Sequence, residues 1–81
     1  MIVKVHLFAR ARDIAGAETT TVELQEGATV AGLRRRLAEL HPALQSLLLR
    51  SAIAVNEEFA QDHTPLTANA EVALLPPVSG G

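Results

Sequence analysis

The sequence has no cysteine, tryptophan or tyrosine among its 81 residues, and phenylalanine occurs only twice. Without cysteine, disulfide bonds, thiolate catalysis and thiolate metal sites are excluded. Long apolar runs are also missing, so no segment is expected to span a membrane, and residues 1–9 do not have the pattern of a signal peptide. The formal charge of −2 predicts no general affinity for nucleic acid or anionic membranes. We therefore expect a cytoplasmic protein.

The composition is that of one small folded domain. Hydrophobic residues make up 48% of the chain and charged residues 20%, which is a globular balance. Leucine, alanine and valine must supply the core, because the aromatic residues are limited to Phe8 and Phe59. A chain of this length has no room for a second core.

Alternating apolar and polar residues predict β strands along most of the chain. In the first strand, Val3, Val5 and Leu7 share one face. The next strand follows a short helical turn that stops at Gly16, and the short connection makes this pair antiparallel. This second strand is predicted at 18–24. Three more strands are predicted at 51–55, 59–60 and 71–75, and the one at 59–60 is short.

One main helix is predicted between the second and third strands. Thr29 is a suitable N-cap, apolar residues follow at helical spacing from Val30 to Leu40, and Pro42 ends the helix. The run "RRR" at 34–36 lies opposite the apolar residues. It is expected on the solvated face of the helix, or else against an acidic partner. The order ββαβββ indicates an α+β fold, a mixed sheet with one main helix packed on one face.

The last six residues, "PPVSGG", differ in composition from the domain at 1–75 and form a separate tail at 76–81. Pro76 and Pro77 favour an extended, stiff spacer, so residues 77–81 reach roughly 15 Å beyond the domain. Gly80 and Gly81 have no side chain and leave the terminal carboxylate open to attack from either face. The alternative interpretation is a disordered end.

This order of elements, together with the Gly-Gly end, resembles the ubiquitin-like β-grasp proteins. Within them the chain is most similar to the MoaD family, the small sulfur-carrying subunits of molybdopterin synthase. The resemblance covers the whole chain. It rests on "LFARARDIAGAE" (7–18), "VNEE" (55–58) and "HTPLTANAEVALLPPVSGG" (63–81).

The resemblance implies a function in molybdenum cofactor biosynthesis. A MoeB-like adenylating partner would activate the Gly81 carboxylate with ATP, and a sulfurtransferase would supply sulfur to make a terminal thiocarboxylate. The tail, with Val78 and Ser79 as a slender stem before Gly80, would then enter the MoaE-like large subunit. There the sulfur would pass to cyclic pyranopterin monophosphate to build the dithiolene of molybdopterin. The family assembly is usually a heterotetramer.

The resemblance also implies a docking surface at the base of the tail. Phe8, Phe59 and Leu75 occupy positions where this family places apolar docking residues, although each could instead pack in the core. The chain departs from the family pattern in the turn "ANAE" (68–71), which is commonly acidic and contains glycine. Here Asn69 is expected to take the place of the glycine, because asparagine tolerates the left-handed conformation.

Other kinds of site have little support in the sequence. The three histidines, at positions 6, 41 and 63, have no metal-ligand spacing, so no metal site is expected. The glycines form no phosphate-binding motif, so we expect no cofactor on this chain and place the ATP site on the activating partner. The chain is therefore not expected to be an enzyme on its own, and the catalytic side chains are expected on the large subunit.

Three alternative functions remain open. The carrier could serve thiamine thiazole or cysteine synthesis, although the thiamine carrier usually lacks the "ARARDIAG" segment. It could be a ubiquitin-like protein modifier, although Lys4 is the only lysine available for chains. It could also be a plain interaction module whose tail has no function.

Deletion of Gly80 and Gly81 distinguishes a sulfur carrier from a plain interaction module. The truncated chain should fold and bind its partners as the full chain does, because binding by a domain surface does not need the terminal glycines. Sulfur loading, followed by intact mass, should be lost completely. A truncated protein that still supports the activity of its partners would favour the interaction module.

Overall fold

The structure is a computed structural model and describes residues 1–77. Strands and helices follow one another along this part of the chain, with a 3₁₀ turn at Pro42–Leu44. The strands are β1 (Ile2–Leu7), β2 (Thr19–Glu23), β3 (Ala52–Val55), β4 (Glu58–Ala60) and β5 (Glu71–Leu75). The helices are α1 (Ala9–Ala15), α2 (Val30–Leu40) and α3 (Gln45–Leu48). None of the helices in this part of the chain is long and apolar enough to cross a membrane.

The five strands form one mixed sheet in the order β2-β1-β5-β3-β4. β5 lies at the centre, parallel to β1 and antiparallel to β3. β1 and β2 are antiparallel, as their short connection predicts, and so are β3 and β4. The predicted α+β fold, with one main helix on one face of a mixed sheet, is therefore confirmed.

The core lies between the sheet and the helices. The predicted inward face of β1 is correct, because Val3, Val5 and Leu7 are all buried. They join side chains from α2 and β5 in one apolar cluster that includes Leu33 and Leu74. Helical spacing alone placed Leu40 in the same apolar stripe, but this residue lies at the end of α2 and is 41% exposed.

The N-terminus of α2 is held by backbone groups of a distant loop. Thr29 is the N-cap residue, as predicted, but its side chain makes no capping hydrogen bond. Instead, the backbone N–H of Val30 donates to the carbonyl of Thr64, and that of Ala31 donates to the carbonyl of Asp62. These bonds satisfy donors that every helix leaves unpaired in its first turn, and they tie the β4–β5 loop to α2.

The left-handed turn lies between β3 and β4, and the prediction for Asn69 is wrong. The residues with positive φ in the described chain include Asn56 and Glu57, at 52° and 71°, but not Asn69. Two consecutive positive φ angles are what a tight two-residue hairpin of type I′ requires. Asn56 also fixes the start of β5, because its side-chain oxygen accepts a hydrogen bond from the backbone N–H of Glu71.

Arg34 does not lie on a solvated face, which corrects the expectation for this member of the 34–36 run. Its guanidinium donates hydrogen bonds to the carbonyls of Leu48 and Ser51, at 2.6 and 2.8 Å, and it pairs with the Asp62 carboxylate at 3.0 Å. The side chain is only 23% exposed. Arg34 therefore connects α2 to the segment that enters β3 and to the β4–β5 loop.

Replacement of this arginine should destabilise the fold. For Arg34→Gln we expect the free energy of unfolding to fall by about 2–4 kcal/mol, since hydrogen bonds from a charged donor to partly buried carbonyls are lost. Arg35→Gln is the matched control, because Arg35 is exposed and should change stability by less than about 0.5 kcal/mol. Urea denaturation of both variants measures the difference, and equal effects would contradict the role given to Arg34.

Candidate docking face and carboxyl-terminal tail

The face of the sheet opposite the helices is uncovered in residues 1–77, and we call it the open face. Its residues alternate with the core residues along each strand. The register aligns one row straight across the sheet, and the row passes from an edge threonine through a histidine and two alanines to a phenylalanine. The row is Thr19, His6, Ala73, Ala54 and Phe59.

Both phenylalanines lie on the open face and outside the core. Phe59 is 79% exposed and Phe8 is 46% exposed. Leu75, at the end of β5, is half-buried. Since Phe8 follows Leu7 and Leu75 follows Leu74 in the parallel β1–β5 pair, the register brings these two side chains to the same end of the sheet. The alternative that Phe8 and Phe59 pack in the core is therefore wrong. That Phe8, Phe59 and Leu75 dock a partner stays a prediction.

The backbone changes direction directly after Phe8. Ala9 has a φ of 51°, a left-handed conformation that costs a residue with a Cβ roughly 1 kcal/mol. This bend ends β1 and starts α1, so the chain leaves the sheet at Phe8. The ring is consequently left at the border of the open face, beside the point where the tail begins.

A shallow cavity of about 240 Å³ lies on the open face, and we call it the central hollow. Small and apolar side chains form much of its lining, and two carboxylates stand on its border. The lining residues are His6, Phe8, Ala54, Glu57, Glu71, Val72 and Ala73. A second cavity, of about 270 Å³, lies farther from the tail and includes Lys4 and Asn69.

Only the first two residues of the predicted tail are described. Pro76 is half-buried and Pro77 is exposed, and they continue from the end of β5. Val78, Ser79, Gly80 and Gly81, which carry the predicted stem and reactive carboxylate, lie outside the described residues. The division into a domain at 1–75 and a tail at 76–81 stays a prediction.

The histidines form no metal site in the described residues. Within residues 1–77, no group of three or more histidine and acidic side chains is placed to hold a metal ion. Of the histidines, His41 lies 3.2 Å from the Thr20 hydroxyl through its Nε2 atom, which is a contact between the C-cap residue of α2 and β2. His6 is on the open face, at the border of the central hollow.

The residues between the two phenylalanines were not identified from the sequence. Ala54, Ala73, Glu57 and Glu71 line the central hollow, but they come from two strands and a turn that are distant in the sequence. The available signal was the alternation in "SAIAV" and "EVALL", which places small residues on the face opposite the core. That signal could not show which strands are neighbours.

These features define a ubiquitin-like β-grasp protein: a mixed five-stranded sheet, a helix packed on one face and the last strand at the centre. The fold is shared with the crystal structure of SAMP1 from Haloferax volcanii, which is 34% identical with a TM-score of 0.89 and complete coverage of both chains. Residues 5–81 match the family described as the ThiS family. The chain belongs to this family.

Two further relatives are similar to the chain over its whole length. The molybdopterin synthase sulfur carrier subunit of Chlamydomonas reinhardtii is 40% identical, with 100% of both chains covered. A solved protein–protein complex of subunits 1 and 2 of the molybdopterin-converting factor from Helicobacter pylori contains a similar chain. That chain is 29% identical, with a TM-score of 0.70 and 100% of both chains covered.

The exposure of Phe59 predicts that the fold does not depend on this ring. Phe59→Ala should lower the free energy of unfolding by less than about 1 kcal/mol. Leu74→Ala, in the fully buried position on β5, should lower it by about 2–5 kcal/mol because it leaves a cavity. Thermal and urea unfolding of both variants measure the contrast. A cost for Phe59→Ala as large as that for Leu74→Ala would place the ring in the core.

Proposed function

We propose that this protein is the sulfur carrier subunit of molybdopterin synthase, acting in molybdenum cofactor biosynthesis. The observation that carries the proposal is the match to a relative of that name at 40% identity over the full length of both chains, tail included. The family match likewise extends to Gly81. The ThiS family description does not by itself choose a pathway, so the choice rests on the named relatives.

In the proposed cycle the Gly81 carboxylate is the reacting group. One of its oxygens attacks the α-phosphorus of ATP on the adenylating partner, and pyrophosphate leaves. A persulfide sulfur of the sulfurtransferase then attacks the carbonyl carbon, the bond to AMP breaks, and an acyl disulfide forms. A thiol attacks the donor's sulfur in this disulfide, takes the donor into a new disulfide, and releases the thiocarboxylate. This sulfur passes to cyclic pyranopterin monophosphate on the large subunit. Because the dithiolene needs two sulfurs, each product consumes two loaded carriers.

The chain's own contribution to this cycle is docking and aiming, with no catalytic side chain. The position of Phe8 and Leu75 at the end of β5 supports a docking surface at the base of the tail. The exposed ring of Phe59, on the far side of the central hollow, extends that surface across the sheet. Pro76 and Pro77 limit the directions in which the tail can leave the domain.

The proposed partners follow from the relatives and from the family resemblance. The Helicobacter pylori complex of subunits 1 and 2 supports a large subunit as the partner that holds the catalytic side chains. The MoeB-like adenylating enzyme, the sulfurtransferase and a heterotetrameric assembly rest on the resemblance. ATP is assigned to the adenylating partner, no cofactor or metal to this chain, and the expected location is the cytoplasm.

A second candidate function is protein modification. It is favoured by the likeness to SAMP1, because the same protein in Haloferax volcanii is named a small archaeal modifier. A modifier would use the same activated Gly81 but would transfer it to a lysine amine of a target. The carriers of thiamine thiazole and cysteine synthesis would load sulfur in the same way and differ only in the acceptor.

Intact mass after loading tests the proposed function. The chain is incubated with its adenylating enzyme, ATP and a sulfur source, and the mass should rise by the difference between sulfur and oxygen, localised to Gly81. Addition of the large subunit and cyclic pyranopterin monophosphate should then return the mass to its starting value and yield molybdopterin.

The controls separate the alternatives. Omission of ATP should prevent the mass gain, and so should deletion of Gly81. Loading without molybdopterin formation would favour another sulfur pathway, and stable adducts with target proteins would favour the modifier. No mass gain with a competent adenylating enzyme would refute every carrier mechanism.

A further inference from the structure

The central hollow combines three features that suit one kind of side chain. Its floor is made by Ala54 and Ala73, which are neighbours in the β3–β5 register. The ring of Phe8 stands at the end nearest the tail, and the carboxylates of Glu57 and Glu71 stand at the other. A long side chain with an apolar stem and a cationic end matches this order of groups.

The two carboxylates form no ion pair within residues 1–77. The ion pairs in residues 1–77 are Arg34 with Asp62 and Arg36 with Glu39, and neither involves Glu57 or Glu71. Lys4 is opposite Glu71 in the register and lines the second cavity together with it, but it forms no ion pair within 4 Å, and its one positive charge is set against the two carboxylates of Glu57 and Glu71. When a partner covers this face, both carboxylates lose water, and a cation on the partner offsets that cost more fully than neutral donors do.

The wider charge distribution favours a cation in the same place. All six arginines lie on helices or just after α3, and among them Arg12 of α1 reaches the border of the open face, where it lines a cavity with His6 and Phe8. Seven of the nine acidic residues lie on strands or on loops that flank strands, although one of them, Asp62, is paired with Arg34 of α2. The arginines are positions 10, 12, 34, 35, 36 and 50, and the seven acidic residues are positions 18, 23, 26, 57, 58, 62 and 71.

We propose that the central hollow binds an arginine side chain of the large synthase subunit. The aliphatic stem lies on Ala54 and Ala73 against the Phe8 ring, and the guanidinium pairs with Glu57 and Glu71. Arginine fits better than lysine, because its planar fork bonds two carboxylates together and is less strongly hydrated than an ammonium. This inference rests on the proposed function for the identity of the partner. The chemistry of the hollow itself does not depend on the identity of the partner.

The affinity of the unloaded carrier for the large subunit tests the proposal at the interface. Glu57→Gln/Glu71→Gln should weaken binding at least about tenfold, because two charge-assisted bonds are lost, and should reduce the dependence of the Kd on salt. Glu26→Gln, in the exposed turn before α2, is the matched control and should change neither. Ala73→Leu should also weaken binding by filling the floor, whereas Thr21→Leu adds bulk on β2, outside the hollow, and should not.

A small probe tests the hollow without any partner. Amide chemical shifts of the labelled carrier are followed during titration with N-acetyl-arginine methylamide, and with the citrulline compound as its uncharged isostere. The arginine probe should shift the amides of residues 54, 57, 71 and 73 at millimolar concentration, and the citrulline probe should not. Equal shifts with both probes, or none, would overturn the cation site.

The outcomes distinguish this proposal from the proposed function. Unchanged affinity of Glu57→Gln/Glu71→Gln for the large subunit would overturn the arginine site, whatever the mass experiment shows. Weaker binding by the charge variant with unchanged binding by Ala73→Leu would overturn the placement of the stem in the hollow. Failure of sulfur loading would refute the carrier function but would leave the probe titration to decide the site.

Discussion

Four residue pairs, from Lys4 opposite Glu71 to Leu7 opposite Leu74, join the first strand to the last one in parallel. This pairing places the end of β5 beside the end of β1, in the middle of the sheet. It therefore sets both where the tail leaves and which side chains surround its base. The open face, the central hollow and the position of Phe8 all depend on this register, since a shift by one residue would turn each side chain to the opposite face.

The contacts that stabilise the fold lie mainly on the helical side of the sheet. α2 packs its apolar residues on one face of the sheet, and Arg34 joins it to the entry of β3 and to the β4–β5 loop. Backbone bonds from the first turn of α2 to the same loop add to this connection. Stability is thereby concentrated on one side of the sheet, and the other side can carry exposed rings and unpaired carboxylates.

Much of the fold could be predicted from local patterns, because those patterns report on one element at a time. Alternation identified Val3, Val5 and Leu7 as core residues, and helical spacing identified α2. Arg34 was misplaced because its acceptors are carbonyls of a segment that is near only in the folded chain. The left-handed turn was assigned to Asn69 from residue type alone, whereas the tight β3–β4 hairpin requires it at Asn56. The hollow was missed because Ala54 and Ala73 become neighbours only through strand pairing.

The central position of β5 also has a mechanical consequence. A partner that draws the tail into a narrow channel pulls on a strand that is bonded on both sides, to β1 and to β3. The force runs along the strand axis, so the bonds of both ladders resist together in shear and do not open one after another as they would at an edge strand. If a partner pulls on the tail, as the proposed function requires, the domain can therefore stay folded while its C-terminal end is under tension.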